Sequence, residues 1–359
     1  MHVVIVGGGV IGTSLAAALG DRAEVTLLER EELGAGTTAA SMAMLHRQQV
    51  PVSDYDQRLR QFAREGYDSL DVSPTRIGSL YVAESEAFAA ELRETAADLA
   101  EWGIETRYLE PAEIADFGIN PSGVVGGIHT PEEGYFDPDE LVVRFAERAR
   151  DAGVAIRTGV EVTGVEPAEG VVEIESGSIE ADAVVNAAGP WTPEVDRMVD
   201  LEYPLRHTRG PILSLETGSD RPKPFSLFER GLYSRSRPGG LYVGRFATDF
   251  AEGERLDPDA SLTVDDEFRR EVEEFASTVP AIDGAPTAEE WVGVRTVTPD
   301  GRPLVGETGI GSYFVATGMS GLGVTLAPAV ARLLADLLAE GTRDDLLDPL
   351  DPGRFAEGR

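Results

Sequence analysis

The residues best suited to chemistry stand at the start of the chain. Gly7-x-Gly9-x-x-Gly12 lies between an uncharged β-branched run (1–6) and a small-residue helical segment (11–19), and a second apolar run (24–28) ends at Glu29. Gly7 permits a tight turn, Gly9 lets backbone approach a pyrophosphate, and Gly12 lets helix and strand pack closely. The helix start, at Val10 and Ile11, offers free N–H groups and partial positive charge to phosphates. Glu29, with Arg30 beside it, can accept both ribose hydroxyls, and its charge disfavours the 2′-phosphate of NADP. A lone glycine pattern says little, but here strand, glycines, helix, strand and acid follow in order.

This motif does not separate FAD from NAD. Later segments do. Asn186-Ala187-Ala188-Gly189-Pro190-Trp191 ends a strand with small residues, and residues 316–324 begin a helix at a glycine turn. The second presents a helix N-terminus to a group that becomes negative, as the N1/C2=O edge of a reduced flavin does. Residues 34–49 are small and nearly uncharged until His46-Arg47, as expected of a segment lying against a large ligand.

The elements that must position these groups recur at the start, middle and end of the chain. Strands are expected at 1–6, 24–28, 183–186 and 313–317, and helices at 11–19, 53–70, 84–102, 138–151 and 324–338. Between about 202 and 290 strands alternate with turns in an antiparallel style. The fold class is therefore α/β. A discontinuous Rossmann-like FAD-binding domain (1–80, 130–200 and 291–359), with a parallel sheet and flanking helices, is joined to an α+β substrate domain (81–129 and 201–290) with a mainly antiparallel sheet. The acidic tail after Gly341 reads as loosely packed.

Composition narrows the function. The 359 residues suggest roughly two domains. Asp and Glu number 64 against 31 Lys and Arg, a net charge of −33, and Lys223 is the only lysine. Such a surface repels nucleic acid and anionic membrane, and its scattered acids fit a protein working in concentrated salt. The absence of cysteine excludes disulfides, thiolate metal sites, Fe–S clusters and a cysteinyl flavin link. No apolar stretch of about 20 residues predicts a membrane span. The apolar first residues lack a basic start, so a cytoplasmic location is expected. No His/Asp/Glu spacing suggests a metal site.

In these segments the chain resembles the FAD-dependent amine and amino-acid oxidoreductases: D-amino-acid oxidase, glycine oxidase, sarcosine oxidase and D-amino-acid dehydrogenase. The matching residues are 3–12 with Glu29, 36–47, 186–191, 291–306 and 318–325. The likeness spans nearly the whole chain and is weakest over 53–124 and 201–290. It implies non-covalent FAD. Arg295 matches the arginine that grips the substrate carboxylate bidentately. Tyr233 matches a strand tyrosine bordering the substrate, and His46 and Arg47 fall near basic residues beside the flavin. Thr37, Thr38, Ser41, Met42, Ala43, Met44 and Leu45 are expected along the flavin, and Val162 beside the adenine. Ala187, Ala188, Gly189, Trp191 and Gly293, with Arg295, extend the cofactor set. Gly318, Ser320, Gly321, Leu322, Gly323, Val324 and Thr325 complete it.

The implied reaction is hydride transfer from the carbon next to nitrogen to flavin N5, giving an imine that hydrolyses. The electron acceptor is oxygen, a quinone or a carrier protein. Ser320 stands where glycine oxidase has a second basic residue, and the lysine that activates oxygen in sarcosine oxidase has no counterpart, which leans toward a dehydrogenase. Three alternatives stay open: oxidation of a 2-hydroxy acid or glycerol 3-phosphate, a flavin subunit of a larger dehydrogenase complex, and a flavin-binding protein without activity. A homo-oligomer is left open as well.

Overall fold

Strands without charge need cover on both faces. The first sheet has six strands, in the order Leu304–Glu307, Tyr313–Thr317, Ala183–Asn186, His2–Val6, Glu24–Glu29 and Ala155–Thr158. All neighbours are parallel except Leu304–Glu307, which runs against Tyr313–Thr317. Helices Val10–Leu19, Pro138–Asp151 and Gly323–Glu340 share one core on one face. On the other face a three-stranded antiparallel sheet, Val162–Glu166, Val171–Ile174 and Gly177–Glu180, buries Val162, Val165 and Val172 against Val4 and Leu28. The sheet thus draws on the start, middle and end of the chain. The structure is a computed structural model and describes residues 1–46, 50–70 and 72–355.

The second sheet has eight strands, in the order Thr287–Val297, Arg206–Glu216, Gly240–Arg245, Leu232–Arg237, Phe225–Phe228, Ser79–Ala83, Gly126–Thr130 and Arg107–Leu109. Only Phe225–Phe228 and Ser79–Ala83 pair in parallel. Helix Asp266–Phe275 closes one face with Phe268, Val272 and Phe275, and helix Glu86–Glu101 covers another part with Ala89, Leu92 and Leu99. Their N-termini are capped by Asp265 and Ser85, whose side chains accept from Phe268 N and Phe88 N. Asp137 caps Pro138–Asp151 in the same way, accepting from Asp139 N and Glu140 N. The borders expected at 80/81 and 290/291 fall within strands Ser79–Ala83 and Thr287–Val297, both members of this sheet.

The expectation of a loose tail is corrected. Leu346, Leu347 and Leu350 are buried and join the core beneath helix Gly323–Glu340. A 3₁₀ turn over Asp345–Leu350 gathers them on one side, while Arg343 pairs with Asp348 and Asp351 on the other. The acidic composition hid the apolar face. Among the described residues no helix is long and apolar enough to cross a membrane.

Candidate active site

A cleft runs between the carboxyl ends of the parallel strands and one face of the antiparallel sheet, where open α/β sheets bind ligands. At one end Gly7 leaves strand His2–Val6 with φ 108°, and a Cβ there would lie 2.6 Å from the Ala187 carbonyl oxygen. Gly9, Val10 and Ile11 line the cleft with the N-terminus of helix Val10–Leu19. Gly12 does not line it, because its task is packing: a Cβ there would overlap the Gly7 carbonyl oxygen. The Thr38 hydroxyl accepts from Val10 N at 3.1 Å. Glu29 is held on the glycine loop, accepting from Gly8 N at 2.6 Å and Glu31 N at 2.9 Å.

The neighbouring turn rests on a buried polar network. Asn186 Oδ1 accepts from Ala188 N at 3.1 Å, and its amide donates to Asp196 Oδ1 at 2.9 Å, which also accepts from the Tyr313 hydroxyl at 2.8 Å. Burial pushes the Asp196 carboxyl up to about 6. Val162, Arg30, Gly189 and Trp191 line this end. Arg30 stacks over the Trp191 ring at 4.5 Å, and both are tied to Asp259, to which Trp191 Nε1 donates at 3.0 Å.

At the far end the walls come from the second sheet. Arg295 reaches in from strand Thr287–Val297, with Gly293 on the same edge. Its Nη2 donates to the Arg245 carbonyl at 3.1 Å. Its Nη1 is closed off from solvent without a hydrogen-bond partner, and no carboxylate pairs with it among the described residues. Burial holds this guanidinium below its ordinary value, and only the Tyr233 phenol counters that. Tyr233 is buried in a stack on Phe225 with centroids 5.2 Å apart. Burial pushes its phenol up to about 12, with Arg295 and Arg235 pulling the other way, so it stays protonated at neutral pH.

Gly210 and Gly244 clear the space for these side chains. A Cβ on Gly210 would lie 2.5 Å from Arg295 Nη1, and one on Gly244 would overlap the Tyr233 ring. His46 also lines the cleft, edge-on to Phe225 at 5.9 Å. Thr37, Ser41, Met42, Ala43, Met44, Ala187 and Ala188 line the stretch between the two ends, as do Gly318, Ser320, Gly321, Gly323 and Val324.

Of the residues expected at the site, Arg47 lies outside the described residues. Leu322 and Thr325 stand behind the wall, where the Thr325 hydroxyl donates to the Met44 carbonyl at 3.0 Å and accepts from His46 N at 3.2 Å. Ile212, Phe225 and Phe246 line the cleft without having been expected, and Met319 joins the other lining residues of the 318–325 block. An alternating apolar run marks Ile212 and Phe225 as strand residues, but nothing local tells which face meets a ligand. Sequence spacing also hid an exposed trio, Glu194, Asp257 and Asp259, with carboxylates within 4.8 Å of one another. Asp259 is already engaged by Arg30 and Trp191.

The sequence model described as FAD dependent oxidoreductase matches residues 2–337. The chain belongs to that family. FAD is its cofactor, and the cleft fits it: a glycine turn with no room for a Cβ, a helix N-terminus and an acid at the next strand end lie at one end, and an unpartnered buried guanidinium atom at the other. The chain is 29% identical to 4-methylaminobutanoate oxidase (formaldehyde-forming) of Paenarthrobacter nicotinovorans, over 99% of this chain and 46% of that protein. It is 31% identical to D-amino acid dehydrogenase of Chromohalobacter salexigens, over 72% of this chain and 62% of that one. The chain thus spans about half the length of the curated relatives it matches first. The crystal structure of L-proline dehydrogenase from P. horikoshii superposes with a TM-score of 0.87 at 25% identity, over 100% of this chain and 98% of that one.

Proposed function

We propose that this family member oxidises a small amine or amino acid carrying a carboxylate, with non-covalent FAD, at the carbon next to nitrogen. The observation that carries this reading is Arg295, a guanidinium lining the cleft whose buried Nη1 lacks a hydrogen-bond partner and which pairs with no carboxylate among the described residues. The relatives support it, since 4-methylaminobutanoate, D-amino acids and L-proline are all amines bearing a carboxylate.

Bound FAD supplies the two-electron acceptor for the hydride. The chain's residues supply position and surroundings. Arg295 takes the carboxylate in a two-point contact, which fixes both depth and rotation of the substrate. Phe225, Ile212 and the Tyr233 ring exclude water around the reacting carbon, while the protonated Tyr233 hydroxyl is a hydrogen-bond donor on that wall. The imine product leaves and hydrolyses in water. A dehydrogenase passing electrons to a quinone or carrier protein is favoured over an oxidase, because Lys223 is the only lysine and does not line the cleft.

The test is anaerobic. The purified holoprotein is mixed in turn with glycine, sarcosine, D-alanine, L-proline and a 2-hydroxy acid while the visible spectrum is followed. Bleaching by an amine is expected, and admitting air then separates oxidase from dehydrogenase. Bleaching by the hydroxy acid alone overturns the amine reading.

A further inference from the structure

A buried acid behind the cleft wall has no part in the account so far. Met44–Leu45 and Gly134–Tyr135 pair antiparallel, with Leu45 opposite Gly134. The next pair along that register is His46 and Glu133. The two side chains face each other there, with His46 Nδ1 3.6 Å from Glu133 Oε2, just beyond hydrogen-bond distance. Glu133 is 0% exposed. Removing a carboxylate from water is costly unless nearby charge and hydrogen bonds compensate. Here the Arg60 guanidinium and the Tyr81 phenol lie within its electrostatic reach.

The backbone on either side of the imidazole is fixed, and the ring itself packs on an aromatic neighbour. His46 N donates to the Thr325 hydroxyl, Arg60 Nη1 donates to the His46 carbonyl at 3.2 Å, and the ring stands edge-on to Phe225. The ring nevertheless lines the cleft, in company with Arg295 and Tyr233. A carboxylate facing Nδ1 of a fixed imidazole favours the tautomer with its proton on Nδ1 and leaves Nε2 as an acceptor.

We propose that Glu133 is a positioning residue that sets the tautomer of His46, so that His46 accepts the N–H proton a bound amine must lose before oxidation. The role of His46 rests on the amine reading above. The step balances simply. The substrate ammonium gives one proton to His46, which becomes imidazolium, and the nitrogen regains its lone pair. The Cα–H electron pair then leaves as hydride to FAD while the C=N bond forms. The imidazolium returns its proton to water. Among the described residues the ionisable group facing the ring is Glu133, from the turn before Gly134–Tyr135; Arg60 from helix Asp54–Asp68 holds the His46 carbonyl and interacts with Glu133, Asp56 and Tyr81, while Arg295 and Tyr233 line the same cleft.

Two readouts test it on the FAD-loaded protein. The first is ¹⁵N NMR of the ring nitrogens of the four histidines, with His46 assigned by its loss in His46→Gln. The expected result is a protonated Nδ1 and a bare Nε2 for His46, and a mixed tautomer in Glu133→Gln. An unchanged tautomer in that variant overturns the proposal. The second is the pH profile of anaerobic flavin reduction by whichever amino acid bleaches the protein. Glu133→Gln is expected to lower the limiting reduction rate about 10- to 100-fold and to move the acid limb of the profile, with KM held and partial rescue by Glu133→Asp. A slower reaction with the same pH profile means a merely structural role and overturns it. If Glu133→Gln does not fold, Glu133→Asp gives both readings with smaller changes. If no amine bleaches the wild-type protein the amine reading falls, and the NMR result still decides the pairing.

Discussion

One end of the cleft is walled by Glu29, Glu31, Glu161 and Glu194 beside the glycine turn, while the far end is walled by Arg295, Tyr233 and His46, with no carboxylate among its described lining residues. Arg30, the cation at the nucleotide end, is engaged by Asp259, whereas Arg295 pairs with no carboxylate among the described residues. The two ends therefore work differently. The first offers backbone N–H groups and an acid for hydroxyls, which suits a ligand to be kept. The second holds one under-satisfied cation in a low-dielectric wall, which suits an anion that comes and goes. In a chain of net charge −33 the carboxylate-free wall also protects Arg295 from internal competition.

The comparison is broken most completely at Gly12. Gly12→Val forces a side chain into the Gly7 carbonyl, and the expected outcome is a colourless, unstable protein in spectroscopy and thermal melts. Arg295→Ala should divide the ends cleanly: kcat/KM for a carboxylate substrate falls about 1,000-fold, mainly through KM, with flavin content unchanged. Loss of flavin in that variant would show that the ends are one structural unit. Glu29→Ala should do the reverse, raising the FAD Kd about 10- to 100-fold by fluorescence titration while kcat at saturating FAD holds.

The polar network under the nucleotide end gives a pH test. Asp196 has a folded value of about 6 against 3.8 unfolded, so the folded state binds the proton more tightly between those values. The contribution of this group to stability falls as pH rises through that window and stays low above it. Asp196→Asn should therefore gain on the wild type by up to about 3 kcal/mol between pH 4 and 7 in denaturant unfolding. A constant difference across that range would remove Asp196 from the account. The smallest effect is expected at the Asp259 tie: Asp259→Asn should speed FAD release a few-fold at low salt, with the difference fading in molar salt.

The nucleotide end was legible because its parts are local. Gly7, Gly9, Gly12 and Glu29 lie within one strand–helix–strand unit, where steric need and hydrogen bonding act over a few turns of chain. The resemblance also pointed to Arg295, Tyr233 and His46, and all three line the cleft. Phe225, Gly210 and Gly244 were not legible, because they matter only through partners on other strands. Gly244 makes room for Tyr233 across a strand pair, and Gly210 for Arg295. The tail misled for a related reason, since the acids that face solvent outnumber Leu346, Leu347 and Leu350, which face the core.

By itself the sequence determined the class of fold, the turn that holds a dinucleotide, and an acidic surface, for these follow from residue type and short-range periodicity. Tertiary structure decided that Arg295 lines the cleft without a carboxylate partner among the described residues, which acid is buried behind His46, and where the second sheet closes over the first. Those depend on pairing between segments far apart in the chain, and strand register and burial are set only when the chain packs.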